Sequence, residues 1–141
     1  MKKNIYIVGV GLIGGSFALE LKDIFKDSNI IGIDTSTQNL NIAKQKNIID
    51  SHAEINDIVN AFMIIIAVPV KAIIKILPKI MEFILPETVV IDFGSTKLNI
   101  CKNLQTHKQR SNFLAAHPIA GNEFSGPDAA VKGLFTNKTC L

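Results

Sequence analysis

Residues 4 to 14 read Asn4-Ile5-Tyr6-Ile7-Val8-Gly9-Val10-Gly11-Leu12-Ile13-Gly14, a β-branched and aromatic run that meets three glycines spaced as G-x-G-x-x-G. The run predicts a strand, and the glycines end it in a turn. Beyond the turn, apolar positions 13, 17, 21, 24 and 25 recur at helical spacing, with Glu20, Lys22 and Asp23 on the other side, so a helix follows. In a strand-turn-helix each glycine has its own work: a tight turn, a close approach of backbone to pyrophosphate, and close packing of helix on strand. The start of that helix offers free N–H groups and the positive end of its dipole to phosphates.

Asn29 to Ile33 is a second short apolar run, ended by Asp34, twenty residues after Gly14. There a carboxylate is placed to bind both ribose hydroxyls of a dinucleotide. It also repels a 2′-phosphate, and no Arg or Lys at 35 to 37 welcomes one, so NAD is favoured over NADP. Thr35 and Gln38 form a capping-box pattern for a helix running through Lys46. Ile48 to Asp57 suggests a short strand and a helical turn. Phe62 to Val68 is wholly apolar, the pattern of a parallel strand buried on both faces, and Pro69 ends it.

Val70 to Leu85 then has Ile73, Ile74, Leu77, Ile80, Met81 and Ile84 on one helical face, and Pro78 must kink that helix or begin a second one. Thr88 to Phe93 is a strand stopped by Gly94 and Ser95; Leu98, Cys101 and Leu104 mark a helix ending near His107; Asn112 to Ala116 is one more strand. This alternation predicts an α/β fold, a Rossmann-type doubly wound and mostly parallel sheet with helices on both faces. Ligands of such sheets bind at the carboxyl ends of the strands. Those ends hold the unusual residues of the chain: Gly9 to Gly14, Asp34, Val68-Pro69, Gly94-Ser95 and His117-Pro118.

Composition supports one globular domain. The 141 residues are 48% hydrophobic and 19% charged, which excludes a disordered tail or a collagenous repeat. The net charge of +3 comes from 14 Lys and one Arg spread among 12 acidic residues, too weak a bias to argue for nucleic acid. Cys101 and Cys140 form neither a CxxC pair nor a metal-ligand cluster, so no metal is expected, and free thiols fit a cytoplasmic setting. The mid-chain apolar stretch Phe62 to Val70 is nine residues, about half of the ~20 needed to cross a bilayer. Lys2 and Lys3 before an apolar run imitate a secretory signal, but Gly9, Gly11, Gly14 and Gly15 interrupt its apolar core.

Two further strand ends suggest chemistry. Ser95 in Gly94-Ser95-Thr96-Lys97 serves equally as a helix cap, yet beside His117 it becomes a candidate for hydroxyl oxidation, with imidazole taking the proton while Ser95 orients it. His52 and His107 lack such settings and are expected to be exposed. Asn122 and Glu123 sit in the loop just past His117, where a carboxylate steers a cationic group or gates access. Lys97 either approaches a substrate or caps a strand end. Residues 117 to 135 carry little periodicity and are expected to lie over the site. Lys138 to Leu141 begins a strand and stops, so the chain reads as truncated.

Gly9-Val-Gly-Leu-Ile-Gly-Gly-Ser16, Asp92-Phe-Gly-Ser95-Thr-Lys97 and His117-Pro-Ile-Ala-Gly-Asn-Glu123-Phe-Ser-Gly126 together resemble the nucleotide-binding half of prephenate dehydrogenase, over essentially all of the chain. The resemblance implies NAD-dependent oxidative decarboxylation of prephenate to 4-hydroxyphenylpyruvate in tyrosine biosynthesis. It implies NAD contacts at Gly9, Gly11, Leu12, Ile13, Gly14, Asp34, Val68, Pro69 and Ser95. His117 would bind and deprotonate the ring hydroxyl, with Ser95 between histidine, substrate and nicotinamide; Asn122 and Glu123 would belong to the substrate loop.

The family's second half is a helical dimerisation domain that supplies a substrate-binding arginine, so a homodimer is expected of the complete enzyme and little turnover from residues 1–141 alone. Arogenate oxidation and a non-catalytic NAD-sensing module are the alternatives. A different hydroxyacid dehydrogenase would not need the His117-Pro-Ile-Ala-Gly loop.

Overall fold

The computed structural model describes residues 2–141. Six strands, β1 (Lys3–Val8), β2 (Ser28–Ile33), β3 (Ser51–His52), β4 (Met63–Ile66), β5 (Val89–Asp92) and β6 (Phe113–Ala115), alternate with helices α1 (Leu12–Ile24), α2 (Thr37–Gln45), α3 (Val70–Phe83) and α4 (Leu98–Leu104). The sheet order is β3-β2-β1-β4-β5-β6, and every neighbouring pair is parallel. The chain reverses its direction of travel across the sheet between β1 and β4, the switch point where such sheets open a crevice at their carboxyl ends.

Strand side chains alternate between two cores. Ile5 and Ile7 of β1 join Ile30 and Ile65 under α1 and α2, while Tyr6 and Val8 join Ile64, Ile66 and Val90 under α3 and α4. Because both faces are covered, the strands read as continuous apolar runs. Each fully buried isoleucine contributes about 1.5–3 kcal/mol through apolar burial, so the central strands anchor the framework from which the strand-end loops project.

Helix starts and faces depart from the sequence reading on α2, α4 and α1. Helix α2 is capped by Ser36, whose side chain accepts the Asn39 N–H at 3.2 Å, so the Thr35/Gln38 box does not form. On α4, Leu98 is 67% exposed and Ile100 takes the buried position. On α1, Ile24 is 68% exposed, and the small residues Gly14, Gly15, Ser16 and Ala18 are buried. Helix α3 continues through Pro78 without a second start, and the Ile74 carbonyl, which a proline at 78 cannot engage, accepts Asn103 Nδ2 of α4 at 3.3 Å.

The segment after β6 first forms an antiparallel pairing with the last residues, His117 N–H to Leu141 O at 2.7 Å and Ile119 N–H to Thr139 O at 2.8 Å. Residues 127–135 then run along α1, and Phe135 ends beside Phe93 at the carboxyl end of β5. The Val131 N–H donates to buried Ser16 Oγ at 3.0 Å, Lys132 pairs with Asp23 at 2.6 Å, and Phe135 packs edge-on against Phe17. Among the described residues, no helix is long and apolar enough to cross a membrane.

Candidate active site

The glycine loop is held by backbone geometry that side chains forbid. Gly9 has φ +92°, and a Cβ there would lie 2.5 Å from the Ala67 carbonyl oxygen. A Cβ on Gly14 would collide with the Gly9 carbonyl, so this glycine lets α1 sit down on the end of β1. Gly11 is different: a Cβ there meets nothing within 4 Å. Protein packing does not require this glycine, and its open side lies at the N-cap of α1, where no side chain caps the helix. An unfilled cradle beside uncapped N–H groups suits a phosphate.

Asp34 ends β2 and faces the same loop. Its Oδ2 accepts the Val10 N–H at 3.0 Å and its Oδ1 accepts the Ser36 N–H at 2.8 Å. Each carboxylate oxygen retains a second acceptor site, so two ribose hydroxyls remain within its capacity. The donor set of Gly11, the α1 N-terminus and Asp34 therefore fits a dinucleotide.

A cavity of about 230 Å³ lies between the first turn of α1 and the carboxyl ends of β4 and β5. It brings together Ile13 of α1, Val68 and Pro69 after β4, and Phe93, Gly94 and Ser95 after β5. These residues come from three separate chain segments, and their lining of one space is what the switch-point geometry dictates.

Ser95 is exposed, and His117 is half-buried just past the next strand. Strands β5 and β6 pair with Asp92 opposite Ala115, so Ser95 and His117 follow neighbouring strand ends. The His117 Nδ1 is buried with no hydrogen-bond partner among the described residues. A shallow depression of about 530 Å³ borders His117 and Asn122 but not the glycine loop. Asn122 Oδ1 accepts the Phe124 N–H at 2.9 Å, closing a local turn, and Glu123 is exposed outside that depression.

His107 departs from its expectation, and Lys97 adopts one of its two expected placements. His107 is covered rather than exposed, with 13% of its side chain accessible, and its Nε2 lies 3.1 Å from Glu82 Oε1. Lys97 caps the strand end: its Nζ lies 2.6 Å from Asp92 Oδ2, and Asp92 is fully buried. Asp92 has no role in the motif pattern itself. The signal was present, because a carboxylate inside an apolar strand requires a partner. His52 is exposed as expected, and the described residues contain no group of three or more His, Cys, Asp or Glu able to hold a metal.

The sequence profile of the prephenate dehydrogenase nucleotide-binding domain matches residues 17–141. The chain is 38% identical over 139 residues to a prephenate dehydrogenase of Lactococcus lactis, an alignment covering 96% of this chain and 39% of that protein. It is 37% identical over 141 residues to a prephenate dehydrogenase of Bacillus subtilis, covering 97% and 38%. Among solved structures, prephenate dehydrogenase from Aquifex aeolicus in complex with hydroxyphenyl propionate and NAD+ superposes with a TM-score of 0.84 at 27% identity, covering 99% of this chain and 50% of that one. A Synechocystis arogenate dehydrogenase superposes at 0.80 with 26% identity, covering 97% and 48%. The chain thus spans about four tenths of the curated relatives it matches and half of the solved ones.

Proposed function

The chain belongs to the family of prephenate dehydrogenase nucleotide-binding domains, and from that premise we propose that it is the NAD-binding half of an enzyme oxidising prephenate to 4-hydroxyphenylpyruvate in tyrosine biosynthesis. When bound, NAD supplies the hydride acceptor. Residues of this chain do the rest at this end of the site. Gly9, Gly11, Leu12, Ile13 and Gly14 receive the phosphates on backbone N–H groups, Asp34 receives the adenosine ribose, and Val68, Pro69 and Ser95 border the nicotinamide end. His117 takes the proton of the ring hydroxyl, and Ser95 orients that hydroxyl between imidazole and cofactor. Asn122 and Glu123 shape the approach of the substrate. Loss of the ring carboxylate as CO2 then leaves an aromatic ring, which makes the overall step irreversible.

The observation that carries this reading is the placement of Ser95 and His117 past the paired ends of β5 and β6, with Ser95 lining a cavity together with Ile13 in the first turn of α1.

A second half completes the proposal. Prephenate is a dianion, and carboxylates are best clamped by arginine forks. Arg110 donates to the Phe113 carbonyl at 3.0 Å, at the amino end of β6, and it lines a hollow with Lys97 and Leu98 rather than the cavity that Ser95 lines. The substrate-binding arginine and the homodimer contact are accordingly assigned to a helical second domain, and the enzyme to the cytoplasm. The superposition on an arogenate dehydrogenase supports one second reading, arogenate as substrate. Both are tested by assaying the full-length protein for NADH formation with each substrate. Prephenate-dependent turnover supports the proposal, arogenate-only turnover moves it to the second reading, and turnover with neither overturns it.

A further inference from the structure

We propose that Asp92 is the positioning residue for the Ser95 turn, acting through Gly94 and Lys97; this rests on the role given to Ser95 above. The Asp92 carboxylate is fully buried at the end of β5. Its Oδ2 accepts the Gly94 N–H at 2.9 Å and the Lys97 ammonium at 2.6 Å, and the same ammonium reaches the Asp92 carbonyl at 3.4 Å. Ser95 lies between these two anchors, so the turn that presents its hydroxyl is tied on both sides to one carboxylate.

The surroundings argue that this pair is there for placement. A Cβ on Gly94 would come within 3.0 Å of Asp92 Oδ2 and of the Ile73 and Ile100 side-chain tips, so the carboxylate sits against the apolar core of α3 and α4. Apolar residues of similar volume would fill such a space about as well as a buried ion pair. They would not accept the Gly94 N–H or tether position 97. Lys97 is moreover the N-cap of α4, where the helix dipole opposes a cation, and Asp92 offsets that cost. With its ammonium engaged below the turn, Lys97 is a structural tether in this arrangement.

The test compares three variants of the full-length protein by kcat, KM for both substrates and thermal midpoint. Ser95→Ala is the control for the site itself. Asp92→Asn is expected to lower kcat about tenfold or more, with both KM values within about threefold, because a turn displaced by a fraction of an ångström misaligns the hydroxyl. The double variant Asp92→Leu/Lys97→Met, which removes the buried carboxylate together with its half-buried partner charge, is expected to regain the wild-type thermal midpoint without regaining kcat. Recovery of kcat together with the midpoint would show a merely structural pair and overturn the inference. A wild-type kcat in Asp92→Asn, alongside a lowered one in Ser95→Ala, would overturn it while leaving the Ser95 role intact. A wild-type kcat in Ser95→Ala would remove that role and this inference with it. Should Asp92→Asn fail to fold, the double variant carries the comparison alone.

Discussion

The carboxylate of Asp34 accepts the backbone N–H of Val10 at 3.0 Å, so the residue that ends β2 also holds the middle of the glycine loop. Cofactor loop and ribose site are thereby one unit, and a change at Asp34 acts on both. Asp34→Asn keeps the shape but has one acceptor oxygen for the two N–H groups of Val10 and Ser36, and it removes the charge that repels a 2′-phosphate. The expected result is an NAD affinity lower by about tenfold, equivalent to about 1.4 kcal/mol, and a narrowed preference over NADP. Titrations with both cofactors check it, and an unchanged ratio would contradict the assignment.

Two of the three motif glycines separate by experiment. Gly14→Ala drives a methyl group into the Gly9 carbonyl and is expected to lower stability by about 1–3 kcal/mol, as overpacking does. Gly11→Ala meets no protein atom within 4 Å. It is expected to leave the thermal midpoint unchanged while weakening NAD by about tenfold or more, since the methyl group occupies the phosphate cradle. Equal loss of stability in both variants would contradict the cradle.

What the sequence made legible follows the same division. Strand β4, and β1 from Ile5 onward, are apolar because both faces are buried, and the glycine spacing announces the turn between β1 and α1, so sheet class and cofactor loop were readable. Details that depend on distant partners were not. Leu98 looks like a core residue on its helix, but α4 is only seven residues long and buries Ile100 and Leu104 instead. Pro78 leaves a kinked helix and a second start equally open, and what keeps α3 one helix is distant: Asn103 of α4 satisfies the carbonyl that the proline cannot. His107 looks unpartnered until Glu82 of α3 is brought beside it. The Asp92–Lys97 pair spans only five residues, but its importance depends on burial, which no local pattern states.

His117 is expected to be indispensable for chemistry and dispensable for cofactor binding. His117→Asn in the full-length protein should lower kcat by at least about a hundredfold, the range for loss of a general base, with NAD affinity within about twofold. Steady-state rates and a separate NAD titration measure the two effects, and retained turnover would contradict its role.

Asp50 sets an acid-side dependence of stability. Burial pushes its carboxyl upward, but the Lys22 hydrogen bond, the Ile30 N–H and the charges of Lys22 and Lys2 outweigh that and hold it below the ordinary carboxylate value. A depressed folded value means stability that is present above the unfolded pKa of about 3.9 and lost as pH falls through the lower folded value. The side chain is 45% exposed, so the contribution is small. Asp50→Asn is expected to lower the thermal midpoint slightly at neutral pH and to converge with wild type below about pH 3. A difference that grows on acidification would contradict this sign.

The central claim, that these 141 residues form an NAD-binding module, is tested most directly by calorimetric titration of the purified chain with NAD and with NADP. Saturable binding of NAD, weaker binding of NADP, and loss of the NAD signal in Gly11→Ala are the predicted result. A chain that is folded by circular dichroism and binds neither cofactor, or that prefers NADP, would contradict it.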